Sequence, residues 1–245
     1  MAPKIVDLGK VIGVMYIMKH LIYSNKGNII YNKNRNYITF KDDIINTYSP
    51  SGIITYGNKK KFFHDIYISK NAFIDLKKNA KLTGIQFRID QSEYPLILSG
   101  IWPNSKSKDC NTKSFKIYMQ NIDENFDEIE GSKNYNEAKE KINDMQLVID
   151  ELKWKAKDWP YGKTPHNKFG PIIPFKNNSE FNYTGNNILI RIEGIETLND
   201  EVTLGFDMIN FNSDKYSKYF RDIIYNLESE PRKSNFSLAL QFETK

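Results

Sequence analysis

Apolar and polar residues alternate along several short stretches of this chain. In Leu82-Thr-Gly-Ile-Gln-Phe-Arg-Ile89, in Ser114-Phe-Lys-Ile-Tyr-Met119 and in the stretch from Asn187 to Ile192, side chains of one parity are apolar and most of the others polar. A pleated strand sends successive side chains to opposite faces, so the pattern predicts strands with one dry face and one wet face. Similar signals fall on 53–56, 62–68, 96–101, 145–149 and 201–210, and a final strand carries Phe236, Leu238, Leu240 and Phe242. The stretch 216–227 fits either a helix or a strand. Strand signals every ten or so residues, far apart in sequence yet needing a shared core, predict a sandwich or jelly roll.

Two segments read as helix. Residues 71–81 place Ala72, Leu76 and Ala80 at helical spacing. Residues 135–144 follow Asn134, a good N-cap, with Glu137 three residues on as in a capping box. The first 50 residues differ from the rest: brief apolar runs are separated by turn residues, and Ser49-Pro-Ser-Gly52 punctuates their end. The expectation is a mainly β protein with one or two short helices, an N-terminal attachment arm over 1–50 and a β-sandwich over 51–245.

Composition narrows the chemistry. The chain has 245 residues and a formal charge of +5. Of its 35 basic residues only Arg35, Arg88, Arg191, Arg221 and Arg232 are arginine. Heavy use of Ile, Asn, Lys and Tyr reflects AT-rich coding and accounts for the basic balance. No run of Arg and Lys interleaved with aromatics marks a nucleic-acid track, so no nucleic-acid partner is expected. The apolar run 11–18 is bracketed by Lys10, Lys19 and His20, and a spanning helix needs roughly 20 apolar residues. Neither an export signal nor membrane insertion is expected.

Catalytic vocabulary is sparse. His20, His64 and His166 lack a second histidine or cysteine at ligand spacing, so no metal site is expected. There is no phosphate-binding glycine loop and no nucleophile elbow, and Cys110 reads as an incidental thiol. The acidic run Asp123-Glu-Asn-Phe-Asp-Glu128 meets the oxygen-ligand requirement of a calcium loop only in part and lacks its glycine. No catalytic residue and no cofactor are expected. The sharper feature is an aromatic, proline-rich loop with Trp154, Trp159, Tyr161 and Phe169. Three readings stand for it: closure of the core, a protein interface, or a platform for a sugar ring, since aromatic side chains combine a large apolar area with a polar edge.

Two resemblances bear on function. The elements Leu82-Thr-Gly-Ile-Gln-Phe87, Phe115-Lys-Ile-Tyr-Met-Gln-Asn121 and Phe181-Asn-Tyr-Thr-Gly-Asn-Asn-Ile-Leu-Ile190 resemble, in order, those of jelly-roll modules in surface proteins of Bacteroidetes. That resemblance spans about residues 53–210 and implies adhesion or carbohydrate recognition without catalysis. The segment Val6-Asp-Leu-Gly-Lys-Val-Ile-Gly13 is similar to the openings of phage fibre and baseplate-associated proteins. It implies an attachment role for Leu8, Gly9, Val11, Ile12 and Gly13. Together they imply a non-enzymatic virion protein of a phage infecting such bacteria, such as a crAss-like phage. It would assemble in the host cytoplasm with copies of itself or other virion proteins through apolar strand edges and aromatic loops. The alternative is a carbohydrate-binding adhesion module at a bacterial cell surface, with a glycan as partner.

Overall fold

Branched and aromatic residues fit the pleated, half-buried surface of a sheet, and they set the strands of this chain. The computed structural model describes residues 36–38, 40–41, 49–53, 62–88, 101–102, 110–150, 153–154, 169–197, 203–210 and 217–245. In chain order the strands begin with β1 (Asn36–Ile38), β2 (Ser49–Ile53), β3 (Phe62–Ile68) and β4 (Lys81–Phe87). Next come β5 (Ile101–Trp102), β6 (Cys110–Ile122), β7 (Gln146–Ile149) and β8 (Lys153–Trp154). They are followed by β9 (Ile173–Pro174), β10 (Phe181–Asn182), β11 (Asn187–Thr197) and β12 (Thr203–Asn210). The last are β13 (Phe220–Asn226), β14 (Ser229–Ser234), β15 (Phe236–Leu238) and β16 (Leu240–Thr244).

Two antiparallel sheets pack against each other. The larger has the order β14-β13-β3-β11-β6-β7, with β8 also on β6. The smaller has the order β1-β16-β4-β10, with β9 also on β4. A further small sheet joins β15, β12 and β2, with β5 parallel to β12. Strands adjacent in sequence repeatedly lie in different sheets, so the chain crosses the sandwich as in a jelly roll. The expected mainly β sandwich is therefore the observed architecture.

The main core lies between the two sheets. Ile66 and Ile68 of β3, Ile117 and Met119 of β6, and Ile188, Ile190 and Ile192 of β11 meet Leu82, Ile85 and Phe87 of β4 and Leu240 and Phe242 of β16. Each fully buried side chain of this size contributes about 1.5–3 kcal/mol. Phe40 stacks on Phe73 at 5.0 Å and meets Phe220 edge-on at 5.1 Å. Thus β1, Phe40 and the start of β2, all within 1–50, are built into the sheets and core. Residues 1–35 lie outside the described residues, and with them Leu8, Gly9, Val11, Ile12 and Gly13.

The face of the larger sheet that points away from the smaller one is not wet, contrary to the alternation rule. A single short helix, α1 (Tyr135–Glu140), and the turn before it cover this face. Phe63, Tyr67, Tyr118, Leu189, Ile223 and Tyr225 of the sheet pack against Phe126, Ile129, Tyr135, Ala138 and Met145. The helix starts as expected: Asn134 Oδ1 accepts from the amide of Glu137 at 3.0 Å. The Glu137 carboxylate reaches back to the amide of Lys133 at 2.9 Å, one residue further than a capping box requires. The helix gives way to a 3-10 turn over Lys141–Asp144.

Three expectations need correction. Residues 71–81 do not form a helix. Only Lys70–Ala72 makes a 3-10 turn, and Asp75 and Asn79 adopt left-handed backbone with φ of 57° and 69°, which ends helical progression. Ser49-Pro-Ser-Gly52 is not a break but part of β2, outermost among the described strands of its sheet, a place that tolerates proline. The final strand is two strands. β15 pairs with β12 and β16 with β4, and Ser237, Ala239 and Gln241 are as buried as their apolar neighbours. The stretch 216–227 resolves as the strand β13.

Candidate functional site

Four central strands of the larger sheet end together, and their ends build a cleft. The register pairs Ile68 with Ile188 and Phe220, and Asn187 with Ile122. The end of β3, the end of β6, the start of β11 and the start of β13 therefore lie side by side. The cleft between their connections has a volume of about 480 Å³, within the range of small-molecule sites.

The turn before β11 frames it. Gly185 has a φ of +93° and reverses the chain, and Phe181 and Tyr183 anchor the turn in the core. Asn187, itself buried, ties two walls: its Oδ1 accepts from the amide of Lys70 at 3.0 Å, and its Nδ2 donates to the carbonyl of Glu124 at 2.9 Å. Asn186 Nδ2 donates to Thr184 Oγ1 at 3.1 Å and to the Asp123 carboxylate. Asn121 fixes the same turn through the amide of Thr184 and the carbonyl of Asn182, both at 3.0 Å.

One wall is cationic. Lys41 and Lys218 place their ammonium groups 5.6 and 5.0 Å from the centre of the Tyr219 ring, and Lys70 lines the same wall. Among the described residues no carboxylate stands within ion-pair distance of any of the three ammonium groups. The facing wall is the acidic run, with Asp123, Glu124 and Asp127. Its shape comes from a 3-10 turn over Phe126–Glu128, capped by Asn125 and held by Arg221, which donates to the carbonyls of Asp127, at 2.8 Å, and Ile129. Among the described residues no three His, Cys, Asp or Glu side chains gather closely enough to hold a metal ion, the acidic run included.

Two buried ionic clusters lie elsewhere. On the outer face, Arg191 donates from Nε and Nη2 to both oxygens of Asp65 at 2.6 Å, and from Nη1 to the carbonyl of Ala138 in α1. Burial opposes the guanidinium charge, but Asp65 more than offsets it and raises the Arg191 pKa. Burial, followed by the Asp65 carboxylate, pushes the Tyr67 hydroxyl far up and that of Tyr225 to about 12. On the inner face, His64 Nε2 stands 2.8 Å from Asp222 Oδ2. Burial raises the Asp222 pKa against the pull of His64. Neither cluster lines the cleft.

The aromatic loop is described only at its ends. Trp154 lies in β8, its backbone paired with Cys110. Phe169 bridges to Arg88 and is half-buried against the main core. Trp159 and Tyr161 lie outside the described residues. The cleft residues Lys41, Lys70, Asn71, Lys218 and Tyr219 carry no sequence signature, because three separate connections bring them together. The sequence pattern marks two parts of the cleft, the Asn186-Asn187 turn and the acidic run 123–128.

Comparison of the chain with protein-family models, with curated proteins and with solved structures gives no match. Among the described residues no helix is long and apolar enough to cross a membrane.

Proposed function

We propose that this chain is a non-enzymatic structural protein of a phage virion, acting through assembly with copies of itself or with other virion proteins. The observation that supports this most is where its ionisable chemistry goes. Asp65 with Arg191, and His64 with Asp222, are spent on joining strands and layers inside the sandwich. Such a body suits a part whose value lies in the surfaces it holds in place. The virion assignment itself rests on the likeness of Val6 to Gly13 to phage attachment segments.

Among the described strands β14 is outermost on one side of the larger sheet, and its composition narrows how assembly would proceed. Glu230, Pro231, Arg232 and Lys233 stand along it, and charges with a proline discourage strand addition. Contact through the arm and through loops fits better than pairing along this edge. Deleting residues 1–20 tests the reading: the truncated chain should keep its cooperative melting transition yet be missing from purified particles. Loss of the melting transition would assign the arm to the core and overturn the division.

A further inference from the structure

We infer that the cleft at the ends of β3, β6, β11 and β13 is a binding site for an acidic saccharide, a ring bearing a carboxylate and several free hydroxyls. This goes beyond the assembly reading and needs neither the arm nor the aromatic loop.

The reasoning starts from the unmatched ammonium groups. Among the described residues Lys81, Lys116, Lys141, Lys176 and Lys245 reach carboxylates, whereas the exposed Lys77, Lys78, Lys133, Lys139 and Lys233 stand singly on the surface without one. Among the described residues Lys41, Lys70 and Lys218 also lack a carboxylate within ion-pair distance, and what sets them apart is that all three gather at one cleft, which the acidic run lines as well. Part of that acidity is already committed: Asp123 accepts from Asn186, and Asp127 lies 4.0 Å from Arg221. The result is a cationic wall facing a wall of carboxylates and amides.

A ligand must satisfy both. A bare anion such as phosphate suits the lysines but meets repulsion from Asp123 and Glu124. A neutral sugar suits the carboxylates and amides through its hydroxyls but leaves the ammonium groups without a counter-charge. A uronic-type sugar answers both walls, its carboxylate forming charge-assisted hydrogen bonds with lysine and its hydroxyls donating to the opposite side. The volume of about 480 Å³ holds one or two such rings. The walls are set before any ligand arrives, because Asn187 ties Lys70 to Glu124; a preorganised site loses less on binding.

The test is calorimetric titration of the full chain with trigalacturonate, its methyl ester and inorganic phosphate. The expected result is saturable binding of the acid and loss of about tenfold or more in affinity for the ester, the effect of one or two charge-assisted contacts. Phosphate should bind more weakly than the acid. The double variant Lys70→Gln/Lys218→Gln should lose the preference for acid over ester while keeping its melting temperature, since neither ammonium holds a carboxylate in the fold. Equal binding of acid and ester, phosphate binding as tight as the saccharide, or no binding of trigalacturonate would each overturn the inference.

Discussion

Asp65 and Arg191 meet as a bidentate pair, two contacts of 2.6 Å, with both side chains fully buried on the outer face of the larger sheet. The Arg191 guanidinium also lies 5.4 Å from the Phe63 ring centre and donates to α1. One side chain thus links two strands to the layer that covers them. Removing one member of a buried pair leaves the other charged and unmatched, at a cost of about 3–5 kcal/mol. Asp65→Asn and Arg191→Met should each destabilise by that amount in urea unfolding. The double variant Asp65→Leu/Arg191→Met should recover most of the loss; simple addition of the two costs would mean the residues act independently.

This pair also marks where sequence reading stops. Period-two alternation locates β3, β4, β6 and β11, because side-chain direction in a strand is a local property, while the stretch of β13 fits a helix as well. What covers each face is not local. Asp65 and Arg191 are 126 residues apart, and nothing near either one announces the α1 layer above them. The alternation of 82–89 puts Gln86 on the wet face for the same reason, yet it donates to the carbonyl of Gly170 at 2.7 Å and accepts from Gln241 at 2.6 Å. The cap of α1 was legible because capping needs only neighbours. The helix expected over 71–81 failed because Asp75 and Asn79 accept left-handed backbone, which three apolar residues at helical spacing do not outweigh.

Gly131 supplies the tight point of the covering layer. Its φ is +83°, and a Cβ there would lie 2.5 Å from Ile223 Cδ1 and 2.6 Å from the Tyr225 hydroxyl. That hydroxyl accepts from the amide of Ser132 at 2.8 Å. Gly131→Ala combines a left-handed backbone cost of about 1–3 kcal/mol with overpacking. Chemical denaturation should show a loss of at least about 2 kcal/mol. A neutral result would mean that the layer moves freely at this point.

Asn187 is expected to hold the cleft together. Asn187→Ala would strip the partners from the amide of Lys70 and the carbonyl of Glu124, at about 0.5–1.5 kcal/mol for each of these part-buried hydrogen bonds. Hydrogen exchange at the Lys70 amide should accelerate strongly, while exchange in the middle of β11 changes only with global stability. Unchanged exchange at Lys70 would show that another group takes over.

The acid limb of stability should carry a signature of Glu180. Hydrogen bonds from Lys245 and then from Lys81 lower its pKa to about 2. A depressed carboxyl stabilises the fold above its unfolded pKa of about 4.3, and that contribution fades as pH falls through about 2. Glu180→Gln should therefore melt slightly below the parent at neutral pH, with the gap closing as pH drops from about 4.5 toward 2. A gap that widens on acidification would reverse the sign and contradict the pairing.

Quantitative mass spectrometry of gradient-purified particles from cells infected by a phage whose genome encodes this chain, as proposed, is the most direct test of a role in assembly. This chain should co-sediment with the particles in a fixed ratio to their other components. If it stays in the soluble fraction and is absent from intact particles, the virion reading is contradicted.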